Sequence, residues 1–164
     1  MPVLALINDH KTLNLVLPWA SAFTKARDSS LVVLCWTEST ISSSELPDDE
    51  PVSEHLVNAV RNYFSHQAPG DEPEIMGLSG PVESRAVLDA VREKEVDLIV
   101  AAGSDPDGRQ GGSFTTNPLL KQSPCTTVIL FGDSTRSTRP RTIFVGSSDT
   151  SNDSATLFLA NQLI

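Results

Sequence analysis

The residues best suited to chemistry lie in a glycine-rich stretch, AAGSDPDGRQGGSF, which follows the apolar run DLIV and holds Gly103, Gly108, Gly112, Ser113 and Phe114. Glycine lets the backbone turn sharply and present its N–H groups with no Cβ in the way. Such a loop, at the carboxyl end of a strand and leading toward a helix, suits a phosphate. Its side chains work against that role: Asp105 and Asp107 put negative charge where an anion would sit, and only Arg109 offsets them. A second polar step, Asn8-Asp9, closes the first apolar run and offers a carboxylate at a strand end. Other constellations are weaker. His10, His55 and His66 are far apart in sequence, Cys35 and Cys125 stand alone, and no spacing resembles a zinc site, so no metal is expected. Ser113, Ser147 and Ser151 are not set in a nucleophile elbow, which makes a hydrolase a poor fit.

Strands must end where these residues stand. Apolar runs occupy Val3 to Ile7, Leu31 to Trp36, a weaker stretch from Glu74 to Leu78, then Asp97 to Ala102 and Thr126 to Phe131. Between them Leu13, Leu17 and Ala20 recur at helical steps, as do Leu56, Val60 and Phe64, and Val87, Leu88 and Val91. Short apolar strands without polar alternation are buried on both faces, the mark of a parallel sheet between helices. The expectation is an α/β domain with a Rossmann-like, doubly wound, five-stranded parallel sheet in the order 3-2-1-4-5, helices on both faces and right-handed crossovers. Such sheets take ligands at the strand ends where the order reverses, between the first and fourth strands.

Local punctuation refines the elements. Ser79-Gly80-Pro81 ahead of VESRAVLDAVREKE reads as a helix start, with Glu83 near the positive end of the dipole. Pro18 falls inside the first helical pattern, where it removes a hydrogen bond at a cost of roughly 3 kcal/mol, so a kink or a late start is expected there. Residues Thr37 to Asp49 are serine-rich and acidic without periodicity and read as a surface loop.

Composition sets the outer limits. A chain of 164 residues accommodates one complete domain with little left over. Its 39% hydrophobic and 20% charged content is that of a globular protein, and no run of about 18 apolar residues is present, so no direct membrane insertion is expected. A net charge of -9 argues against nucleic acid, because neutralising phosphates takes clustered Lys and Arg. MPVLALIND lacks the basic region and cleavage site of a secretory signal, and both cysteines fall in expected strands, which points to a reducing, cytoplasmic setting.

The tail reads as a separate piece. The polar linker GDSTRSTRPR carries Arg136, Arg139 and Arg141 and leads into an apolar strand and a helical pattern. Setting VLALINDHKTLNLVLPWA against IFVGSSDTSNDSATLFLA aligns Asp9 with Asp149, Leu17 with Leu157 and Ala20 with Ala160. The expected organisation is one domain over 1-132, a linker over 133-141, and the strand-helix opening of a second, similar unit over 142-164.

With these residues in view, the chain resembles a universal stress protein domain of the UspA type. The element order, the Asp-containing turn after the first strand, the passage GPVESRAVLDAVREKEVDLIV and the Gly-Ser step before NPLLKQSPCTTVIL carry the resemblance over residues 1 to about 132. It implies a five-stranded parallel sheet, dimerisation or a tandem-domain partner, ATP as cofactor, and a role in stress response or as a regulatory module. By the same resemblance Gly103 matches the first glycine of the G-x2-G-x9-G-(S/T) motif, and Gly112 with Ser113 its last pair. Asn8 or Asp9 stands for the acidic residue that contacts the nucleoside, and the backbone around Cys35 and Trp36 faces the adenine. The pattern departs from the family in length: residues 104 to 111 separate the outer glycines where the family has twelve, position 106 is proline, and Gly108 is the nearest substitute for the middle glycine. The reading that follows is a non-enzymatic regulatory module whose adenine-nucleotide site is degenerate and binds triphosphate weakly or not at all. Two alternatives are the cytoplasmic regulatory tail of a membrane transporter and an ATP-binding stress-response protein; an enzyme of a related nucleotide-binding class comes after them.

Overall fold

The computed structural model describes residues 1–36, 52–65, 72–78, 84–103 and 122–130. The expected serine-rich loop, Ser79-Gly80-Pro81 with Glu83, most of the glycine-rich stretch, and the expected linker and second unit lie outside the described residues.

The elements in chain order are β1 (Val3–Ile7), α1 (His10–Ala26), β2 (Leu31–Trp36), α2 (Val52–Phe64), β3 (Glu74–Leu78), α3 (Ser84–Glu93), β4 (Leu98–Ala102) and β5 (Thr126–Leu130). The five strands form one sheet in the order β3-β2-β1-β4-β5, with every neighbouring pair parallel. This is the doubly wound α/β architecture expected from the sequence. Alternation along each strand divides the core in two. Val3, Ala5, Ile7, Leu31, Val33, Cys35, Leu98 and Val100 pack with Leu13, Leu17 and Phe23 of α1 and Leu56, Val60 and Phe64 of α2. Leu4, Leu6, Val32, Leu34, Trp36, Ile99 and Ala101 pack with Val87, Leu88 and Val91 of α3. The three central strands are apolar at every position because both faces are covered. The outer strands β3 and β5 are only partly buried. Among the described residues no helix is long and apolar enough to cross a membrane.

Pro18 neither delays nor ends α1, which begins at His10 and continues to Ala26 with Pro18 inside it. Pro18 and Asn14 are both exposed, so the carbonyl four residues back that loses its N–H partner faces water. The opposite stripe, Leu13, Val16, Leu17, Ala20 and Phe23, is buried and holds the helix on the sheet.

Two helices end in the same way. After α1, Ser29 N–H donates to Thr24 C=O at 3.1 Å and Asp28 has φ 47°. After α3, Val96 N–H donates to Val91 C=O at 2.9 Å, Glu95 N–H to Arg92 C=O at 3.3 Å, and Glu95 has φ 51°. Both are Schellman endings with an acidic residue where glycine is usual. A side chain in the left-handed region is strained, and Glu95 is exposed with no packing to lose. Glu95→Gly is therefore expected to stabilise the fold by about 1 kcal/mol in urea denaturation, and destabilisation would contradict the strain argument.

Ion pairs fasten the edge of the sheet where the strands begin. Arg27, just past α1, pairs with Asp97, just before β4, and Asp97 N–H also donates to Pro2 C=O at 3.3 Å. Lys94 Nζ lies 2.6 Å from Glu74 Oε1, joining the end of α3 to the start of β3. The opposite edge, where the strands finish, is left to the candidate site.

Candidate functional site at the carboxyl ends of β1 and β4

The candidate site lies where the order of the sheet reverses. Between β1 and β4 the register runs Val3 with Leu98, Leu4 with Ile99 and Ala5 with Val100. Beyond that point β1 stays with β2, through Leu6 with Leu34 and Ile7 with Cys35, while β4 stays with β5, through Ala101 with Ile129 and Ala102 with Leu130. The pairing of the two central strands with each other stops at Ala5 and Val100, short of both carboxyl ends, with Asn8 and Asp9 following β1 and Gly103 following β4. Doubly wound sheets receive ligands outside the strand ends at such a switch point.

Asp9 is the N-cap of α1. Its Oδ1 accepts from Thr12 N–H at 2.7 Å, and Thr12 Oγ1 accepts from Asp9 N–H at 3.0 Å and from Asn8 N–H at 3.1 Å. The Thr12 hydroxyl also donates to Asp9 C=O at 2.9 Å. This is a capping box with threonine in the place of the usual Glu or Gln. The carboxylate thus stands at the positive end of a helix dipole, half-buried at the switch point, with one oxygen assigned to the cap. His10 and Lys11 follow on the first turn, both exposed, and their N–H groups have no acceptor within the helix by the geometry of a helix start.

On the β4 side, Ala102 and Gly103 are half-buried. Gly103 N–H donates to Leu130 C=O at 2.8 Å and so extends the β4–β5 ladder by one step. That donor belongs to the sheet, so any phosphate cradle has to draw its donors from later in the loop. Gly108, Gly112, Ser113 and Phe114 lie outside the described residues.

Cys35 and Trp36 finish β2 and point to opposite faces. The Cys35 side chain is buried on the α1 and α2 side, and burial pushes its thiol from the ordinary 9.0 up to about 12, which makes it inert as a nucleophile. Trp36 is buried on the α3 side with Leu34, Met76 and Leu78. Its ring belongs to the core. Among the described residues no group of His, Cys, Asp or Glu is placed to hold a metal ion.

Thr12 is the residue that sequence reasoning passed over. The signal was present as Asp9-His10-Lys11-Thr12, a capping spacing with an unusual last member.

No protein-family model matches the chain, and no curated protein resembles it significantly in sequence. Its structure is similar to that of a universal stress protein solved in complex with cAMP, at 17% identity and a TM-score of 0.53, over 79% of this chain and 95% of the other. It is also similar to the universal stress protein UspA from Lactobacillus plantarum, at 18% identity and a TM-score of 0.45, over 79% of this chain and 97% of the other. The likeness to the cAMP complex shows that the chain has the fold of that universal stress protein.

Proposed function

We propose that the chain is a non-enzymatic regulatory module of the universal stress protein kind, which holds an adenine nucleotide by its nucleoside end and grips a triphosphate weakly. The observation that carries this reading is the switch point between β1 and β4, with the Asp9 carboxylate after the one strand and, after the other, a Gly103 N–H already committed to β5. A carboxylate accepts hydrogen bonds from ribose hydroxyls and repels phosphates, so its place favours the sugar. The segment between Gly103 and Gly112 is shorter than the family motif and adds Asp105 and Asp107, whose negative charge would disfavour phosphates. A structural neighbour holds cAMP, an adenine nucleotide with a single phosphate, which supports the ligand class.

Turnover is not part of this reading. The Cys35 thiol stays protonated, and among the described residues no metal-holding cluster stands near the switch point. The module would act in the cytoplasm by handing the ligand state to a protein partner, either a second copy or a tandem unit. The half-buried edge strand β5 supports such pairing.

The test is incubation of pure protein with Mg-ATP, followed by a thermal-shift series. The expected result is no phosphate release above buffer and stabilisation by adenosine, AMP and cAMP. Steady hydrolysis abolished by Asp9→Ala would overturn the non-enzymatic reading.

A further inference from the structure

We propose that the apolar shelf on the α1 side of β4 and β5 is the seat of this chain's own segment 152–164, which packs there as a helix beside α1. Register across the two strands sets Leu98 by Thr126, Val100 by Val128 and Ala102 by Leu130, and these residues share the face that carries α1 and α2. Ala102, Val128 and Leu130 join that core only half-buried. Two helices are too few for the face: α2 lies against β2 and β3, α1 against β1 and β4, and among the described helices none lies comparably against β5. The other face has its own cover. α3 packs there on the way from β3 to β4, and a right-handed crossover from β4 to β5 runs in the same direction across the sheet and so belongs on that side too.

α1 turns aromatic surface toward the gap. Ser21 lies beside Tyr63 of α2, and Trp19, two residues earlier and so about 200° round the helix, faces away from α2 toward the β5 edge. Trp19 is half-buried, with its ring centroid 6.3 Å from that of the buried Phe23. The occupant is named by its sequence. At the offset that aligns Leu17 with Leu157 and Ala20 with Ala160, Phe23 falls on Leu163, so the segment repeats the residues by which α1 itself lies on the sheet. Phe158, Leu159 and Ile164 make it apolar on further sides, and a short helix of that kind needs packing to persist. Its tether suits the place. Residues 131–151 follow directly on β5 and can span more than about 60 Å when extended, and attachment holds the segment at an effective concentration on the order of millimolar, which favours it over a second copy of the chain.

Trp19 reports on the seat once Trp36→Phe has removed the other tryptophan. In that full-length protein Trp19 emission is expected to be blue-shifted, shielded from acrylamide and unchanged on dilution, and adding Leu157→Asp with Leu163→Asp should shift it to the red and raise its quenching. Indifference of Trp19 to the two aspartates would overturn the inference. Shielding that is lost on dilution of the parent protein would give the shelf to a second copy and overturn it as well. Because a charged variant that unfolds would give the same red shift, the unmutated chain is also read directly by NMR. Nuclear Overhauser contacts are expected from the Val128 and Leu130 methyls to Leu157 and Leu163, and should be missing from an isotope-filtered experiment on mixed labelled and unlabelled chains. Their absence in the uniformly labelled protein, or their presence in the filtered experiment, refutes an intramolecular seat.

Discussion

Trp36→Ala is expected to cost the fold about 3–5 kcal/mol, a large fraction of the roughly 5–15 kcal/mol that holds a domain folded. Trp36 is the last residue of β2, only 2% exposed, and packed on the α3 side of the sheet with Leu34, Leu78 and Met76. Truncation removes the largest side chain of that cluster, and the surrounding strands are fixed by their ladders, so the space does not close. Trp36→Phe should cost much less, because most of the volume is kept. Urea denaturation of the two variants decides the matter. A Trp36→Ala protein within 1 kcal/mol of the wild type, but impaired in nucleotide binding, would place the indole in the ligand site and contradict its burial.

Phe23→Ala is expected to have a similar effect, about 3–5 kcal/mol, for a reason that bears on the site more directly. Phe23 is 1% exposed and anchors the last turns of α1 against the central strands. Asp9 and Thr12 stand at the other end of the same helix, which lacks one backbone hydrogen bond at Pro18 and depends on its buried stripe to stay docked. Loosening the anchor should speed amide hydrogen exchange along α1 more than along α3, which packs on the opposite face. Equal acceleration in both helices, with unchanged stability, would show that α1 is not held in this way.

Much of this architecture was legible in the sequence, because a strand covered on both faces writes its burial as an unbroken apolar run. Val3–Ile7 and Leu31–Trp36 are such runs, and their bounds agree with the strands observed. The face on which a side chain falls follows from parity: Cys35 shares a side with Leu31 and Val33, and Trp36 with Val32 and Leu34. Asp97 reads as the head of β4 but lies one residue before it, drawn off by Arg27 and Pro2. Such partners are distant in sequence and leave no local trace. The same is true of the point where the β1–β4 pairing stops. That β1 stays with β2 while β4 stays with β5 depends on pairing between strands, which neither run encodes alone. Pro18 looked like an obstacle because its exposure was not visible from the sequence, and Glu95 gave no sign of a left-handed ending because glycine is the usual signal there.

The central claim is that the site recognises the nucleoside and not the triphosphate. Isothermal titration calorimetry of the same protein with adenosine, AMP and Mg-ATP tests it directly. The account predicts that affinity does not rise from AMP to Mg-ATP, and that Gly112→Val leaves adenosine binding unchanged. Low-micromolar Mg-ATP binding, well above that of AMP and lost in a correctly folded Gly112→Val protein, would show that the shortened loop still cradles phosphates and would contradict the account.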